Sequence, residues 1–138
     1  MFNKIITPVD LAHIDKLGRA LDCAADLAKH YGLPIIYVGV TSSAPGAIAH
    51  NPEEYSQKLQ NFADGEVEKY GVDASAHMEK ANDPSIEIEA ALIKAIDKTG
   101  ADLVVMASHV PGAVEYVWPS NGGKVAQHAK CSVMLVRP

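Results

Sequence analysis

Asp10 is the first residue of the chain whose position suggests chemistry, because it directly follows a β-branched run that ends at Val9. A carboxylate at the end of a buried strand can accept hydrogen bonds from a ribose hydroxyl or hold a cation. The same side chain could instead cap the turn that leads into the next helix. Position alone leaves both roles open, and the two are compatible.

A second polar segment follows a later apolar run, where Ser108 and His109 precede a loop and Ser120 or Asn121 begins a short helix. The first turn of a helix has unpaired N–H groups and a partial positive charge, so it favours phosphate and other anions. His109 could donate to a phosphate, or it could bond to the backbone of its own loop, which is the interpretation that we favour.

Gly122 and Gly123 lie inside this helix, where each glycine lowers helix stability by up to about 1 kcal/mol relative to alanine. Close approach of a ligand or of a neighbouring backbone would explain them, and so would a frayed first turn. The segment is not a Walker A motif, because Trp118 replaces its first glycine and Val125 replaces the Ser or Thr that should follow Lys124.

Neither a metal site nor a catalytic group is indicated. The histidines outside the loop show no HxxxH or HxH pairing, and Cys23 and Cys131 cannot form a disulfide framework or a paired metal motif. No serine or cysteine has the context of a nucleophile elbow, and no carboxylate pair is placed for acid–base chemistry. We therefore predict no metal ligands and no catalytic residues.

The composition is that of one ordinary domain, with 138 residues, 48% hydrophobic and 21% charged. The formal net charge of −5 and the lack of a basic stripe argue against nucleic acid as a partner. No apolar run reaches the roughly 18 residues of a membrane span, and no signal peptide precedes the first strand. We predict one soluble, cytoplasmic domain over residues 1–138 that binds neither nucleic acid nor membrane.

The hydrophobic pattern predicts five strands that alternate with four helices. The strands are predicted at 3–9, 35–40, 74–81, 103–107 and 132–136, and the helices at 14–31, 52–70, 84–99 and 120–129. The apolar stripe of the third predicted helix includes Ile86, Ala90, Ile93 and Ile96.

Such alternation gives a mostly parallel sheet with helices on both faces. A ligand of such a sheet lies beyond the carboxyl ends of the strands, where the strand order reverses. This rule points to residues 8–10 and 107–120. The last strand, Ser132–Val136, should be an edge strand. Pairing with a second copy would satisfy its free backbone groups, and a covering helix or loop is the alternative that we favour less.

Two segments resemble the universal stress protein family, namely the opening run NKIITPVD and the ending run ASHVPGAVEYVWPSNGGKVAQHAKCSVMLVRP. The likeness spans essentially the whole chain and is closest to the branch typified by enterobacterial universal stress protein F. It implies an α/β fold, Rossmann-like and adenine nucleotide alpha hydrolase-like, with a five-stranded parallel sheet of order 3-2-1-4-5. It also implies a homodimer through Ser132–Val136.

One large branch of that family binds ATP through Gly, two residues, Gly, nine residues, Gly and then Ser or Thr. In this chain Ala107 and Val110 replace the first two glycines, and Pro119 replaces the third after eight residues, while Ser120 keeps the motif's identity. The alignment implies a nucleotide site in which Asp10 meets the ribose, Val40 and Met106 meet the adenine, and Ser108, His109, Ser120 and Asn121 meet the phosphates. The further candidates for the site are Pro8, Val9, Ala107, Val110 and Pro119.

The replaced glycines weaken this expectation, because Val110 adds bulk where an anion should approach and Pro119 lacks an N–H donor. The leading hypothesis is a dimeric stress-response regulator that binds ATP or another adenine nucleotide, with Mg²⁺ as an accompanying ion and at most weak hydrolysis. The alternative is a dimeric interaction module that binds no nucleotide, as in the family branch that lacks the glycines.

Overall fold

A computed structural model describes residues 1–108 and 121–138, and within them five strands form one sheet with helices on both faces. The strands are β1 (Ile5–Pro8), β2 (Ile35–Thr41), β3 (Ala74–Lys80), β4 (Leu103–Ala107) and β5 (Ser132–Val136). The helices are α1 (Gly18–Tyr31), α2 (Pro52–Tyr70), α3 (Pro84–Thr99) and α4 (Asn121–His128).

The strand order is β3-β2-β1-β4-β5 and every pairing is parallel, which confirms the predicted fold and sheet order. The central strand β1 pairs with β2 from Ile5 opposite Ile35, and with β4 from Ile5 opposite Leu103. Both neighbours and both faces of β1 are covered, which is why its sequence is a continuous apolar run. The prediction that β5 is an edge strand is also confirmed, and β3 forms the opposite edge.

Two hydrophobic cores hold the layers together. One lies between the sheet and helices α1 and α2, and it includes Tyr37, Leu59 and Ala24. The other lies between the sheet and helices α3 and α4, and it includes Leu92 and Val125. Because parallel strands all end at the same edge of the sheet, the chain segments after β1, β2 and β4 leave the sheet side by side.

The first helix begins later than predicted. An irregular 3-10 segment occupies Leu11–Lys16, and α1 starts at Gly18 rather than at residue 14. The side chain of Asp10 caps this segment by accepting a hydrogen bond from the Ala12 N–H, and the non-helical backbone of His13, with a φ of −136° and a ψ of 39°, interrupts it before α1. By contrast α2 begins as predicted, with the Asn51 side chain accepting from the Glu54 N–H at 2.8 Å.

Among the described residues, no helix combines the length and the apolar character that crossing a lipid bilayer requires.

Candidate functional site

A cleft of about 340 Å³ opens at the carboxyl ends of β1 and β2. Residues 9–11 after β1 and 40–42 at the end of β2 line one part of it. Most of the loop at 44–49 and the side chain of Tyr55 from α2 form another part, and Pro84 and Ile88 of α3 complete the described surface. Its volume lies at the lower end of the range of about 300–1,000 Å³ that is typical of small-molecule sites.

Asp10 lies in this cleft and caps the 3-10 segment at the same time. Its Oδ1 accepts from the Ala12 N–H at 3.0 Å, and its Oδ2 lies 2.9 Å from His13 Nδ1. The side chain of Asp10 remains 22% exposed. A carboxylate has about four lone-pair positions, so Asp10 can accept a further hydrogen bond from a ligand hydroxyl. The capping role is therefore observed, and the ribose role stays a prediction.

Tyr55 is a cleft residue that sequence reasoning missed. Its ring packs over Gly39 of β2 so closely that a Cβ added to Gly39 would lie 2.4 Å from the Tyr55 hydroxyl oxygen. Burial, and then the negative charge of Asp10, raise the pKa of the Tyr55 hydroxyl above its ordinary value. At neutral pH this group therefore stays protonated and can donate. The available signal was Gly39 itself, a glycine inside an otherwise apolar strand.

The rest of the described surface divides into an apolar part and a polar part. Val9, Val40, Ile48 and Ile88 supply side chains without polar atoms. On the other side, the hydroxyls of Thr41 and Ser42 donate weakly to nearby backbone carbonyls, each at 3.4 Å. Apolar walls suit a flat aromatic ring, and a rim of hydroxyl and carboxylate groups suits a sugar.

The structure places the predicted site residues in three groups. Val9, Asp10 and Val40 all line the cleft. Pro8, which precedes Val9, is buried. Met106 is fully buried in the core under α3 and is not on the described cleft surface. Ala107 and Ser108 are partly buried at and after the end of β4, and Asn121 begins α4. The remaining four, His109, Val110, Pro119 and Ser120, lie outside the described residues.

A glycine is needed at position 122 because α4 packs closely against β5 there. A Cβ at Gly122 would lie 2.8 Å from a methyl carbon of Leu135, so the glycine lets α4 approach β5 closely. At Gly123 a Cβ would meet no heavy atom of the described residues within 4 Å. The sequence suggested that a ligand or a neighbouring backbone comes close to these glycines. In the structure the group that comes close to Gly122 is the side chain of Leu135 in the last strand.

No cluster of three His, Cys, Asp or Glu side chains is arranged to hold a metal ion within the part of the chain that is described.

Comparison with known proteins gives one consistent family. The model of the universal stress protein family matches residues 1–137. A curated relative, universal stress protein G of Shigella flexneri, is 26% identical over 144 residues, which cover 99% of this chain and 100% of the relative. The predicted placement in the branch of protein F stays a prediction.

Two solved structures have the same fold. A universal stress protein family protein from Arabidopsis thaliana with AMP bound has a TM-score of 0.69 at 17% identity, covering 98% of this chain and 91% of its own. The universal stress protein from Archaeoglobus fulgidus in complex with dAMP has a TM-score of 0.63 at 20% identity, covering 96% of each chain.

Proposed function

The chain belongs to the universal stress protein family, and we propose that it binds an adenine nucleotide in the cleft after β1 and β2. The residues that follow β4 complete the site, and the protein acts as a stress-response regulator through nucleotide occupancy. The observation that carries the proposal is Asp10, a carboxylate with free acceptor capacity in a cleft whose walls are apolar. Two relatives of the same fold hold AMP and dAMP.

In this proposal each part of the nucleotide has a matching surface. The ribose hydroxyls donate to Asp10, and the protonated Tyr55 hydroxyl lines the same cleft as a further donor. The adenine ring rests on the apolar side chains of Val9 and Val40. The phosphates extend toward the segment that leads into α4 at Asn121, because a helix start favours anions.

Mg²⁺ fits the same arrangement. Because Asp10 is assigned to the ribose, the ion would be held mainly by the phosphates of the nucleotide and by water, as is common for Mg²⁺. When bound, the ion would neutralise phosphate charge. The proposal includes little or no hydrolysis, because Asp10 is assigned to the ribose and the described cleft lining offers no second carboxylate or histidine as a general base.

Calorimetric titration with AMP and with ATP tests the proposal. In Asp10→Asn the amide oxygen can still cap the 3-10 segment, while the second acceptor oxygen is lost. We expect nucleotide affinity to fall about tenfold. Asp15→Asn, a change of the same charge in the same segment but outside the cleft lining, should leave affinity unchanged. No heat at millimolar nucleotide, together with no nucleotide extracted from the purified protein, would contradict the proposal.

A homodimer through β5 is part of the same proposal. β5 pairs with β4 and forms an edge of the sheet, and Met134 in its centre is 39% exposed. An apolar edge strand of this kind favours pairing with its own copy around a two-fold axis. In sedimentation experiments Met134→Lys should yield monomers. Ser75→Lys, which adds the same charge to the opposite edge strand β3, should stay dimeric, and a monomeric parent protein would contradict the assignment.

The replacement of the motif glycines by Ala107, Val110 and Pro119 favours a second candidate, a dimeric interaction module without nucleotide. Restoring two glycines with Val110→Gly and Pro119→Gly separates the two candidates. ATP binding that appears only in this double variant would assign the natural protein to the interaction module.

A further inference from the structure

The loop between β2 and α2 forms a large part of the cleft wall. Ser42, Gly46 and Ile48 all line the cleft, and they belong to a segment without helix or strand. One backbone hydrogen bond within the loop joins the Gly46 N–H to the Ala49 carbonyl at 2.9 Å. The position of this wall must therefore depend on contacts with a more rigid element.

Two charged side chains of α2 make those contacts. The Lys58 ammonium donates to the carbonyl of Ile48. One oxygen of the Glu54 carboxylate accepts from the backbone N–H of His50 at 3.0 Å and lies 3.1 Å from the His50 ring nitrogen Nδ1. The other oxygen of Glu54 lies 3.4 Å from Lys58 Nζ. The two side chains, one helical turn apart, thus bind the loop backbone and each other.

We propose that Glu54 and Lys58 are positioning residues that hold the β2–α2 loop against α2 and so keep the wall of the cleft in place. We refer to this pair as the latch. Its effect on a ligand rests on the proposed nucleotide-binding function. Its effect on the loop does not, because every contact of the latch lies within this chain.

The energetics of the latch are local. The side chains of Glu54 and Lys58 are 35% and 48% exposed, and exposed ion pairs add little to global stability. A loop with few contacts of its own opens at low free energy, so even weak tethers change how often it opens. A hydrogen bond from the backbone N–H of His50, and secondly one from the His50 ring, hold the pKa of Glu54 below its ordinary value. The carboxylate of Glu54 therefore stays ionised at neutral pH.

Amide hydrogen exchange tests the hold on the loop without any ligand. In Glu54→Ala and Lys58→Met we expect the amide of Gly46 to exchange about tenfold faster, although neither side chain bonds to that amide. Acceleration of the His50 amide alone in Glu54→Ala would show only the loss of one hydrogen bond and would overturn the latch. Global unfolding midpoints should remain close to that of the parent protein.

Matched controls are available on the same helix and on the next one. Glu53→Ala removes a carboxylate from the same first turn of α2, and Lys94→Met removes an ammonium from the exposed side of α3. Neither residue lines the cleft. Both controls should leave Gly46 exchange unchanged, and equal acceleration in the controls would overturn the proposal.

Dissociation of AMP, followed by stopped-flow displacement, tests the consequence for a ligand. We expect release from Lys58→Met to be about tenfold faster than from the parent and from Lys94→Met. Faster loop exchange with an unchanged release rate would overturn the role in ligand retention. A third outcome is faster loop exchange in Glu54→Ala and Lys58→Met together with no AMP binding by the parent protein. That outcome would overturn the proposed function and still support the hold on the loop.

Discussion

At the scale of single residues, the shape of the cleft depends on Gly39, which has no side chain. Gly39 sits in β2 at the position where Tyr55 crosses the strand, and the phenol ring occupies the space of a Cβ. Tyr55 is 6% exposed and lines the cleft together with Asp10. One glycine thus determines where the hydroxyl of Tyr55 lies relative to the carboxylate that we assign to the ribose.

The change Gly39→Ala tests this pair. Its Cβ would collide with the hydroxyl and two ring carbons of Tyr55 at 2.4–3.0 Å, so the buried ring must move. We expect the free energy of unfolding to fall by about 1–3 kcal/mol in urea denaturation, as for other overpacked cores. Nucleotide affinity should fall with it, since the cleft loses the position of Tyr55.

A control for this effect is Gly123→Ala, where the added carbon meets no atom of the described part of the chain within 4 Å. Because Gly123 lies in α4, alanine should raise the free energy of unfolding, by up to about 1 kcal/mol. Equal stability changes in the two variants would contradict the close packing at Gly39.

At the scale of elements, α2 carries both the cleft residue Tyr55 and the two side chains that contact the loop of the cleft wall. Its start is determined by Asn51, its first two turns carry Tyr55 and the latch, and it ends at Gly71. These features lie in adjacent turns, so a change in the start of α2 would move the cleft wall and the cleft hydroxyl together.

Two glycines of α2 should respond to alanine with opposite signs. Gly65 is an exposed interior residue with no heavy atom within 4 Å of an added Cβ, so Gly65→Ala should stabilise by about 0.5–1 kcal/mol. Gly71 has a φ of 68°, a left-handed conformation that disfavours a side chain, so Gly71→Ala should destabilise by about 1 kcal/mol. Thermal melting measures both, and destabilisation by Gly65→Ala would contradict this description of α2.

The helix α3 shows the limit of periodicity as a guide to burial. Half of the predicted stripe is confirmed, since Ile96 is buried and Ile93 packs against the core, but Ile86 is 77% exposed and Ala90 is exposed as well. The other buried residues of α3 include Ile88, Leu92 and Ala95. Because α3 is rich in apolar residues, its sequence contains two overlapping stripes, and contact with the sheet selects one of them.

At the scale of the whole molecule, two buried glutamates lie on opposite faces of the sheet in different surroundings. Glu66 of α2 is 8% exposed, and its buried Oε2 has no hydrogen-bond partner among the described residues. Glu79 of β3 is 3% exposed, and its carboxylate meets His77 at 2.8 Å and Lys98 at 3.1 Å. The two residues should therefore affect the pH dependence of stability with opposite signs.

Glu66→Gln should stabilise the protein at neutral pH. Burial raises the pKa of Glu66, so its stabilising neutral form is present at low pH and is lost as pH rises through the folded-state pKa. We expect a gain of about 1 kcal/mol near pH 7.5 that shrinks toward zero near pH 4. Urea denaturation at both pH values measures it. Glu68→Gln, an exposed change two residues further along α2, should show no such gain.

Glu79→Gln should have the reverse effect. Burial by itself raises the pKa of Glu79, but hydrogen bonds from His77 and Lys98 outweigh it, and the pKa lies below its ordinary value. The stability that this carboxylate contributes is present above its unfolded-state pKa and is lost as pH falls through the folded-state pKa. We expect a loss of about 1–3 kcal/mol near pH 7.5 that fades in acid. A loss that is independent of pH would contradict the ionised pairing.

The sequence by itself determined the alternation of strands and helices, the extent of α2 and α3, and the place of Asp10 after the first strand. Each of these depends on neighbours within a few residues, through period, capping or turn chemistry. The strand order came from resemblance to a family, and the structure confirms it.

Only the tertiary structure decided which surfaces meet. Three contacts join different elements, namely those of Tyr55 with Gly39, of Gly122 with Leu135 and of Lys58 with Ile48. The exposure of Ile86 likewise depends on which side of α3 faces the sheet. Local pattern shows that a face is apolar or that a residue is small. It does not show which other face will cover it, because that depends on how the helices pack against the sheet as a whole.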